Sequence, residues 1–267
     1  MTAKVVLITG ASSGIGLATA ELLHNMGFVV YGTSRRTNIA SKHQFHLIEL
    51  DINKDDSVAQ AIEKVIQSEG RIDILINNAG FAIAPAGAEE SSMQQAQAIF
   101  DTNFFGAVRM TRAVIPVMRQ QHSGLILNIS SILGLLPTPF GALYSASKHA
   151  LEGYSESLDH ELRTQGIRVS LIEPAYINTS LGVNLLEADA KIAVYEQLRE
   201  KLHQQMIKTI QQSDDPSVVA KTILKVINSQ NILPRYTAGT TAKHLKNLRK
   251  FVPVKIFDTL IQRNLKV

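Results

Sequence analysis

Short apolar runs alternate with amphipathic stretches through the first two-thirds of the chain. The runs are rich in β-branched residues, which is typical of strands buried on both faces of a parallel sheet. They predict six strands, at residues 4–9, 28–33, 45–50, 72–76, 125–129 and 168–172. Apolar residues at helical spacing predict helices at 15–26, 55–68, 91–102, 104–121 and 142–163. This alternation predicts an α/β fold, with a doubly wound parallel sheet flanked by helices on both faces.

The last third of the chain departs from this alternation. Residues 179–212 are helical in pattern, polar and poor in glycine. Because they follow the sixth strand directly, they predict a helical lid over the site rather than an ordinary surface helix pair. A further helix is predicted at 216–229 and a seventh strand at 232–236. No linker or repeat interrupts the chain, so residues 1–267 are expected to form a single domain.

The tail, residues 241–267, mixes apolar and basic residues. Such a tail would cover a substrate pocket, pack on a partner subunit or touch a membrane surface. Packing is the favoured interpretation.

Composition narrows the class of protein. At 267 residues, 45% of them hydrophobic, the chain is long enough for a sizeable core. It has no cysteine, which excludes a disulfide framework and a Cys-based metal site. The histidines, including His43, His46 and His122, are interpreted as loop or surface residues, so no metal is expected.

Charge and hydropathy argue against two classes of partner, and an anionic cofactor or a solvated helix face explains the basic excess. The net charge of +4 comes without a nucleic-acid recognition motif, so no nucleic-acid binding is expected. No apolar run reaches membrane-spanning length. The first residues predict no signal peptide, and a cytoplasmic location is therefore expected.

A glycine-rich turn joins the first predicted strand to the first predicted helix. Its spacing is G-x3-G-x-G. Glycines permit a tight turn and close backbone approach to a pyrophosphate, and the helix N-terminus adds free N–H groups. A Rossmann-type nucleotide-binding fold is therefore predicted. The expected contacts from this turn are Gly10, Ser12, Ser13, Gly14, Ile15 and Gly16.

The end of the second strand indicates which dinucleotide is bound. An acidic residue there would bind the ribose 2′-hydroxyl of NAD, whereas arginine accommodates the 2′-phosphate of NADP. This chain has Ser34-Arg35-Arg36 and no acid, which favours NADP(H), with Arg35 as the main phosphate ligand. Asp51 and Ile52, after the third strand, are expected to hydrogen-bond to and pack on the adenine.

Tyr144 and Lys148 provide candidate proton chemistry. A tyrosine four residues before a lysine shares a helix face with it. A nearby ammonium favours the phenolate, so the phenol pKa is expected to fall toward neutral pH. Tyr144 is thus a candidate proton donor and acceptor for interconverting an alcohol and a carbonyl.

Together these motifs resemble the classical short-chain dehydrogenase/reductase family. The resemblance covers the chain in unbroken order up to about Thr179. It includes the glycine-rich turn, Asp51, Asn77-Asn78-Ala79-Gly80, Asn103, Ser130-Ser131, Tyr144-x-x-x-Lys148 and the loop at 174–179. The tail pattern Arg235-Tyr236-x-x-Gly239 resembles the hydroxysteroid- and retinol-dehydrogenase branch.

The resemblance implies roles for particular residues. Tyr144 would be the acid/base, Ser131 would polarise the carbonyl oxygen, and Ser130 would be structural. Lys148 would lower the tyrosine pKa and hold the nicotinamide ribose, while Asn103 would anchor a water of the proton relay. Further cofactor contacts would come from Asn78, Ala79, Gly80, Pro174, Ile177 and Thr179. The family also implies a homodimer or homotetramer, paired through helices 104–121 and 142–163.

One position departs from the family pattern, because Ala175 follows Pro174 where the family usually has glycine. If this position needs a positive φ, alanine is costly there. The activity implied is NADP(H)-dependent oxidoreduction on CH–OH donors.

An apolar substrate pocket is expected, favouring a bulky steroid, retinoid or lipid ketone, aldehyde or alcohol. Its expected lining is Phe81, Ile83, Leu133, Leu135, Leu136, Pro137, Pro139, Phe140 and Tyr176. Two alternatives stay open. They are reduction of a 3-oxoacyl thioester, and NADP(H) binding by a regulator without turnover.

Overall fold

The structure, a computed structural model, describes residues 3–36, 43–179 and 185–265. One parallel sheet is built from β1 (Val5–Ile8), β2 (Val29–Ser34), β3 (His46–Glu49), β4 (Ile74–Asn77), β5 (Gly124–Ile129), β6 (Ile167–Pro174) and β7 (Arg235–Ala238). Its strand order is β3-β2-β1-β4-β5-β6-β7, which confirms the predicted doubly wound sheet. The order reverses between β1 and β4, so the ligand crevice of such a sheet lies beyond their carboxyl ends.

Helices cover both faces of the sheet. They are α1 (Gly14–Asn25), α2 (Asp55–Glu69), α3 (Met93–Phe100), α4 (Gly106–Gln120), α5 (Ala142–Leu162), α6 (Glu196–Gln211), α7 (Ser217–Ile227), α8 (Thr240–Phe251) and α9 (Val254–Leu265). On one face the core joins the sheet to α2, α4 and α5 through residues such as Val58, Met110 and Leu158. On the other face, Leu23 of α1 and Ile223 of α7 pack on the strands. The central strands β1, β4, β5 and β6 are therefore buried on both sides, which explains their continuous apolar runs.

The last strand begins later than the sequence predicts. Pairing between β6 and β7 starts at Arg235, opposite Leu171, whereas the predicted strand began at residue 232. Pro234 lacks an N–H and contributes only its carbonyl, which accepts from the Leu171 N–H at 2.9 Å. Proline at this position explains why the regular ladder begins only after it.

The predicted helices at 91–102 and 104–121 are joined rather than separate. Between α3 and α4 the chain forms a five-residue π-helix, Asp101–Phe105. Such a bulge adds a residue to a helix and is frequent at functional sites. It lies beside the carboxyl ends of the strands and carries Asn103.

The predicted lid is helical only in its second half. Residues 180–184 lie outside the described part of the chain. Leu186 forms a bridge with Ile83, accepting from the Ala84 N–H at 2.8 Å, so the chain there is extended. A short 3-10 helix, Ala193–Tyr195, then leads into α6. The helical prediction for residues 185–192 was wrong, because Leu186 pairs with residues 82–84 and the N–H groups of Ala190 and Ile192 donate to Glu90.

A buried carboxylate holds the lid to the rest of the fold. Glu90 is fully buried, and its side chain accepts from the Ile192 N–H at 2.8 Å. The same carboxylate forms an ion pair with Arg199 of α6. Because a buried charge needs its partners, this pair fixes α6 against residues 87–90.

The tail forms α8 and α9, which pack on the segment after Ser131. Phe257, Leu245 and Ile261 contact a small apolar cluster that includes Ile132 and Leu136. One side of the tail therefore packs on its own chain, whereas packing on a partner subunit stays a prediction. Among the described residues, no helix combines the length and apolar character needed to cross a bilayer.

Candidate active site

The glycine-rich turn is fastened to the end of β4. The side-chain amide of Asn78 donates to the carbonyl oxygens of Thr9 and Gly10 at 2.9 and 3.0 Å. In return, the Thr9 hydroxyl oxygen accepts from the N–H groups of Asn78 and Ala79 at 2.9 and 3.0 Å. Four hydrogen bonds therefore join the glycine-rich turn to the end of β4, at the point where the strand order reverses.

The turn has the shape that an anionic dinucleotide requires. Gly10 and Gly14 have φ angles of +68° and +56°. A Cβ on Gly16 would meet the Gly10 carbonyl and lie 2.6 Å from the Asn78 amide nitrogen. Ser13 supplies no side-chain hydrogen bond to cap α1, so the first N–H groups of that helix are available to an anion. This cradle fits a pyrophosphate.

Two exposed arginines follow β2, as the sequence predicts. Arg35 and Arg36 are both exposed, and the Arg36 N–H donates to the hydroxyl of Ser34 at 3.1 Å. Asp51 is half-exposed at the end of β3. By contrast, the Ile52 side chain is buried in the core, close to Gly106, so it is not free to pack on an adenine. The interpretation of Ile52 as an adenine contact through its side chain therefore needs correction.

Ser131, Tyr144 and Lys148 meet at the carboxyl end of β5. Ser131 follows that strand, and its hydroxyl lies close enough to the Tyr144 hydroxyl to lower the pKa of that phenol. The Lys148 ammonium donates to the Ile129 carbonyl at 2.8 Å and lies 5.8 Å from the centre of the Tyr144 ring. The spacing in the sequence thus places an acid/base group, a hydroxyl and a cation on one side of the crevice.

Asn103 reaches the same cluster from the π-helix. Its side-chain oxygen accepts from the Phe81 N–H and its amide donates to the Phe81 carbonyl, both at 2.9 Å. The amide also donates to the hydroxyl of Ser147, one residue before Lys148, at 3.2 Å. A Cβ on Gly80 would lie 2.9 Å from the Asn103 oxygen and 3.9 Å from the Lys148 nitrogen. Asn103, Gly80 and Lys148 are therefore immediate neighbours.

The pKa values of the pair differ from the sequence-based expectation. Burial raises the pKa of Tyr144 to about 12, an effect that the neighbouring Ser131 hydroxyl opposes. Burial lowers the pKa of Lys148 to about 8, and the nearby Glu152 carboxylate opposes this. Desolvation of the phenol outweighs the lowering effect of Ser131, so the expected fall in the tyrosine pKa does not occur in this structure. At neutral pH both groups hold their protons.

A buried ionic cluster behind the site was missed by the sequence analysis. Glu152 of α5 pairs with Arg235 of β7, which also donates to Glu173 of β6 at 3.0 Å. Burial raises the pKa of Glu152 to about 7, and the nearby Ser130 hydroxyl and Arg235 guanidinium oppose that rise. Lys148 and Glu152 are four residues apart on one helix and so share a face. This spacing was the signal in the sequence that could have placed a carboxylate behind the site.

The loop after β6 brings Ile177 and Thr179 toward the turn. The Thr179 methyl would lie 3.2 Å from a Cβ on Gly14. Pro174 and Ile177 are buried, and Asn178 donates from its N–H to the Asp214 carbonyl at 2.9 Å. Among the described residues, the non-glycine positions with positive φ are His122 and Phe140. Alanine at position 175 is therefore not strained by the backbone.

A cavity opens between this loop and the lid. It is lined by Thr179, His203, Ile207 and Ile210, among others. Leu136, which was expected to line an apolar pocket, is instead buried against the tail. In the described part of the chain, no group of three or more acidic, histidine or cysteine side chains could hold a metal ion.

The sequence matches the family model described as short chain dehydrogenase over residues 4–190. The chain belongs to the short-chain dehydrogenase family. Its members are oxidoreductases that use a nicotinamide cofactor, and the cradle above fits such a group.

Two curated relatives of this short-chain dehydrogenase have names that specify a substrate. A 3-ketodihydrosphingosine reductase of Bacteroides thetaiotaomicron is 45% identical over 188 residues, which are 69% of this chain and 68% of that protein. Retinol dehydrogenase 8 of Bos taurus is 35% identical over 249 residues, 85% of this chain and 78% of that protein.

Solved structures agree with the fold of this short-chain dehydrogenase. A short-chain dehydrogenase from Streptomyces avermitilis has a TM-score of 0.83 and 31% identity, with both chains covered completely. ElxO with NADP bound has a TM-score of 0.74 and 25% identity, covering 89% of this chain and 97% of its own. A 3-ketoacyl-(acyl-carrier-protein) reductase from Brucella melitensis, complexed with NADH, has a TM-score of 0.75 and 26% identity, covering 88% and 95%.

Proposed function

We propose that this protein is an NADP(H)-dependent oxidoreductase that interconverts a bulky apolar carbonyl compound and its alcohol. The observation that carries the proposal is the meeting of Ser131, Tyr144 and Lys148 at the same sheet edge as the glycine-rich turn. A binding protein without turnover does not need a proton donor beside its nucleotide. The gathered polar groups therefore favour catalysis over the regulatory alternative.

The cofactor would be held along the carboxyl ends of β1, β2 and β4. The turn at 10–16 would bind the pyrophosphate through its backbone. Arg35, supported by Arg36 and Ser34, would bind a 2′-phosphate, and the absence of an acid at the end of β2 favours NADP(H) over NAD(H). Asp51 would accept from the adenine. Lys148 would donate to the nicotinamide ribose, with Asn78, Ala79, Gly80 and Thr179 lining the path.

The residues of the protein would deliver a proton to the carbonyl oxygen. When bound, the nicotinamide supplies the hydride to the carbonyl carbon. The hydroxyls of Ser131 and Tyr144 would both donate to the carbonyl oxygen and stabilise its developing charge. Tyr144 then gives up its proton, and Lys148 stabilises the phenolate left behind. Asn103 would act by holding the loop at Phe81 and the turn of α5 around Ser147.

The reduction rate is expected to fall as pH rises through about 8. Lys148 has its pKa lowered to about 8, so it is charged below that pH and neutral above it. A neutral amine no longer stabilises the phenolate, whereas Tyr144, with a pKa of about 12, keeps its proton across the same interval. The measurement is kcat/KM for carbonyl reduction against pH, because this ratio reports the free enzyme.

Circular dichroism over the same pH interval serves as the control for unfolding. A flat kcat/KM profile from neutral to alkaline pH, with the fold intact, would contradict the assignment of Lys148.

The substrate class rests on apolar surface near the cavity and on the names of two relatives. Ile207 and Ile210 line the cavity together with polar side chains such as Glu187, and Tyr176 is exposed on the neighbouring loop. One relative is named for a long-chain sphingoid ketone and another for a retinoid. Both are bulky apolar molecules, which supports a lipid-type ketone, aldehyde or alcohol.

A substrate panel with NADPH and NADH side by side tests this proposal. We expect NADPH oxidation with 3-ketodihydrosphingosine, all-trans-retinal or a keto-steroid, and slower turnover of a short water-soluble ketone. An acetoacetyl thioester forms a separate arm, because its preferential reduction would support the 3-oxoacyl alternative. Tight NADPH binding with no turnover of any member would support the regulator.

Three further expectations stay predictions. A homodimer or homotetramer would pair through α4 and α5. The described elements would act as one catalytic domain. A cytoplasmic location is the third.

A further inference from the structure

The helices α8 and α9 pack on the protein with one side only. Leu245, Val252, Phe257 and Ile261 face the cluster at Ile132 and Leu136. Lys246 adds an ion pair to the buried Glu173 at 3.6 Å. This inner side fixes both helices beside the segment that follows Ser131.

The outer side of the same two helices leaves large apolar side chains exposed. Of the 12 exposed large hydrophobic residues in the described chain, five lie between residues 248 and 260. They are Leu248, Phe251, Val254, Ile256 and Leu260. Leu248 and Phe251, three residues apart, share a face of α8, and Ile256 and Leu260, four apart, share a face of α9. A cluster of this kind marks an interaction surface more often than scattered residues do.

The positive charge of the protein is concentrated in this segment. Residues 240–267 contain seven Lys or Arg and one acidic residue, whereas residues 1–239 contain 20 and 22. The last 28 residues therefore carry a net charge of +6, and the rest of the chain carries −2. Lys250 lies 5.3 Å above the ring of Phe251, so cation and apolar group are neighbours. Among the described residues, no carboxylate is within ion-pair distance of Lys243, Lys250 or Lys255.

We propose that this outer side docks on a membrane surface that carries anionic lipid headgroups. We call this outer side the C-terminal docking face. It is formed by Leu248, Phe251, Val254, Ile256 and Leu260 with Lys243, Lys250 and Lys255. The apolar side chains enter the boundary between headgroups and acyl chains, and the lysines reach the headgroup charges. Lysine suits this position because its long apolar stem runs along the apolar face while its ammonium stays in water.

A second copy of the chain would fit this face less well than an anionic lipid surface would. A twofold interface places the same patch against itself, so Lys250 and Lys255 of two subunits would be brought together. Like charges at such an interface oppose association. An anionic lipid surface instead complements both the apolar and the basic part of the face.

Docking in this way needs no rearrangement of the fold. The inner side of α8 and α9 keeps its contacts with Ile132 and Leu136 while the outer side meets lipid. The segment after Ser131 would then lie directly behind the membrane-bound helices. An apolar substrate dissolved in the bilayer would have a short path to the site, a consequence that rests on the proposed function.

Vesicle sedimentation with the full chain tests the proposal. We expect the protein to bind vesicles of phosphatidylcholine containing about one-third phosphatidylserine, to bind pure phosphatidylcholine at least about tenfold more weakly, and to lose binding as salt rises. Phe251→Ser/Ile256→Ser should lower the partition coefficient by about tenfold or more. Lys250→Gln/Lys255→Gln should reduce the preference for anionic lipid.

Met26→Ser/Met93→Ser is the matched control for the loss of exposed apolar area. Met26 and Met93 are 56% and 70% exposed, against 54% and 73% for Ile256 and Phe251, and they lie at the end of α1 and the start of α3. This control should bind vesicles like the unchanged protein. All variants should reduce a water-soluble ketone at the unchanged rate, which separates failure of docking from failure of the proposed function.

Three results would overturn the docking proposal. The first is no binding to either kind of vesicle. The second is equal binding by Phe251→Ser/Ile256→Ser and by the control pair. The third is conversion of an oligomer to a monomer by Phe251→Ser/Ile256→Ser in light scattering, which would make the face a subunit interface.

Discussion

Replacing Tyr144 by phenylalanine is expected to lower kcat for carbonyl reduction by about 10²- to 10⁴-fold, the range typical of losing a positioned proton donor. The ring of Tyr144 would keep its place at the start of α5, because phenylalanine has the same shape. Only the hydroxyl next to Ser131 disappears. Ser131 and the bound nicotinamide would remain, so a residual rate above the uncatalysed reaction is expected.

The decisive measurement compares kcat with the dissociation constant for NADPH. The phenol hydroxyl is not needed to hold the pyrophosphate or the 2′-phosphate, so NADPH affinity should change little in Tyr144→Phe. Tyr154→Phe is a suitable control, because Tyr154 lies on the same helix ten residues later, with its ring against Phe104. Full turnover by Tyr144→Phe would refute the catalytic assignment.

Replacing Arg35 by glutamine is expected to weaken NADPH binding by about 10- to 100-fold, the cost of losing a charge-assisted pair with a phosphate. NADH has no 2′-phosphate, so its dissociation constant should stay within a factor of about two. The ratio of the two constants therefore reports the role of Arg35 directly. Fluorescence titration of the reduced nicotinamides measures both.

Two further variants make the test specific. Lys64→Gln removes the same charge from the exposed face of α2 and should leave both affinities unchanged. Arg36→Gln should have a smaller effect than Arg35→Gln, because Arg36 is the supporting contact. Equal loss of NADH and NADPH binding in Arg35→Gln would show that the residue holds the turn rather than selecting the phosphate.

Local patterns in the sequence were enough to predict the fold and to predict which residues meet at the candidate site. The apolar runs give the strands, and the motifs that follow them must meet at one edge of a parallel sheet. Tyr144 and Lys148 share a helix face by spacing alone. Gly10 and Gly14 have the positive φ angles that a turn of this spacing suggests.

Features that depend on distant residues could not be predicted in the same way. The salt bridge between Glu152 and Arg235 joins residues 83 positions apart. The extended half of the lid depends on pairing between Leu186 and Ile83. The rise in the tyrosine pKa arises from burial, which no local pattern reports. Each of these is decided by tertiary contacts rather than by the residues next to it.

The π-helix at Asp101–Phe105 also affects how relatives should be aligned. One added residue rotates everything downstream by about 100° relative to a regular α-helix. A relative that lacks the bulge would need a one-residue gap within this stretch. Without that gap, an asparagine aligned with Asn103 would face a different direction in space. In a sequence alignment, an asparagine at this position therefore indicates the same role only when the helix register of the relative is also the same.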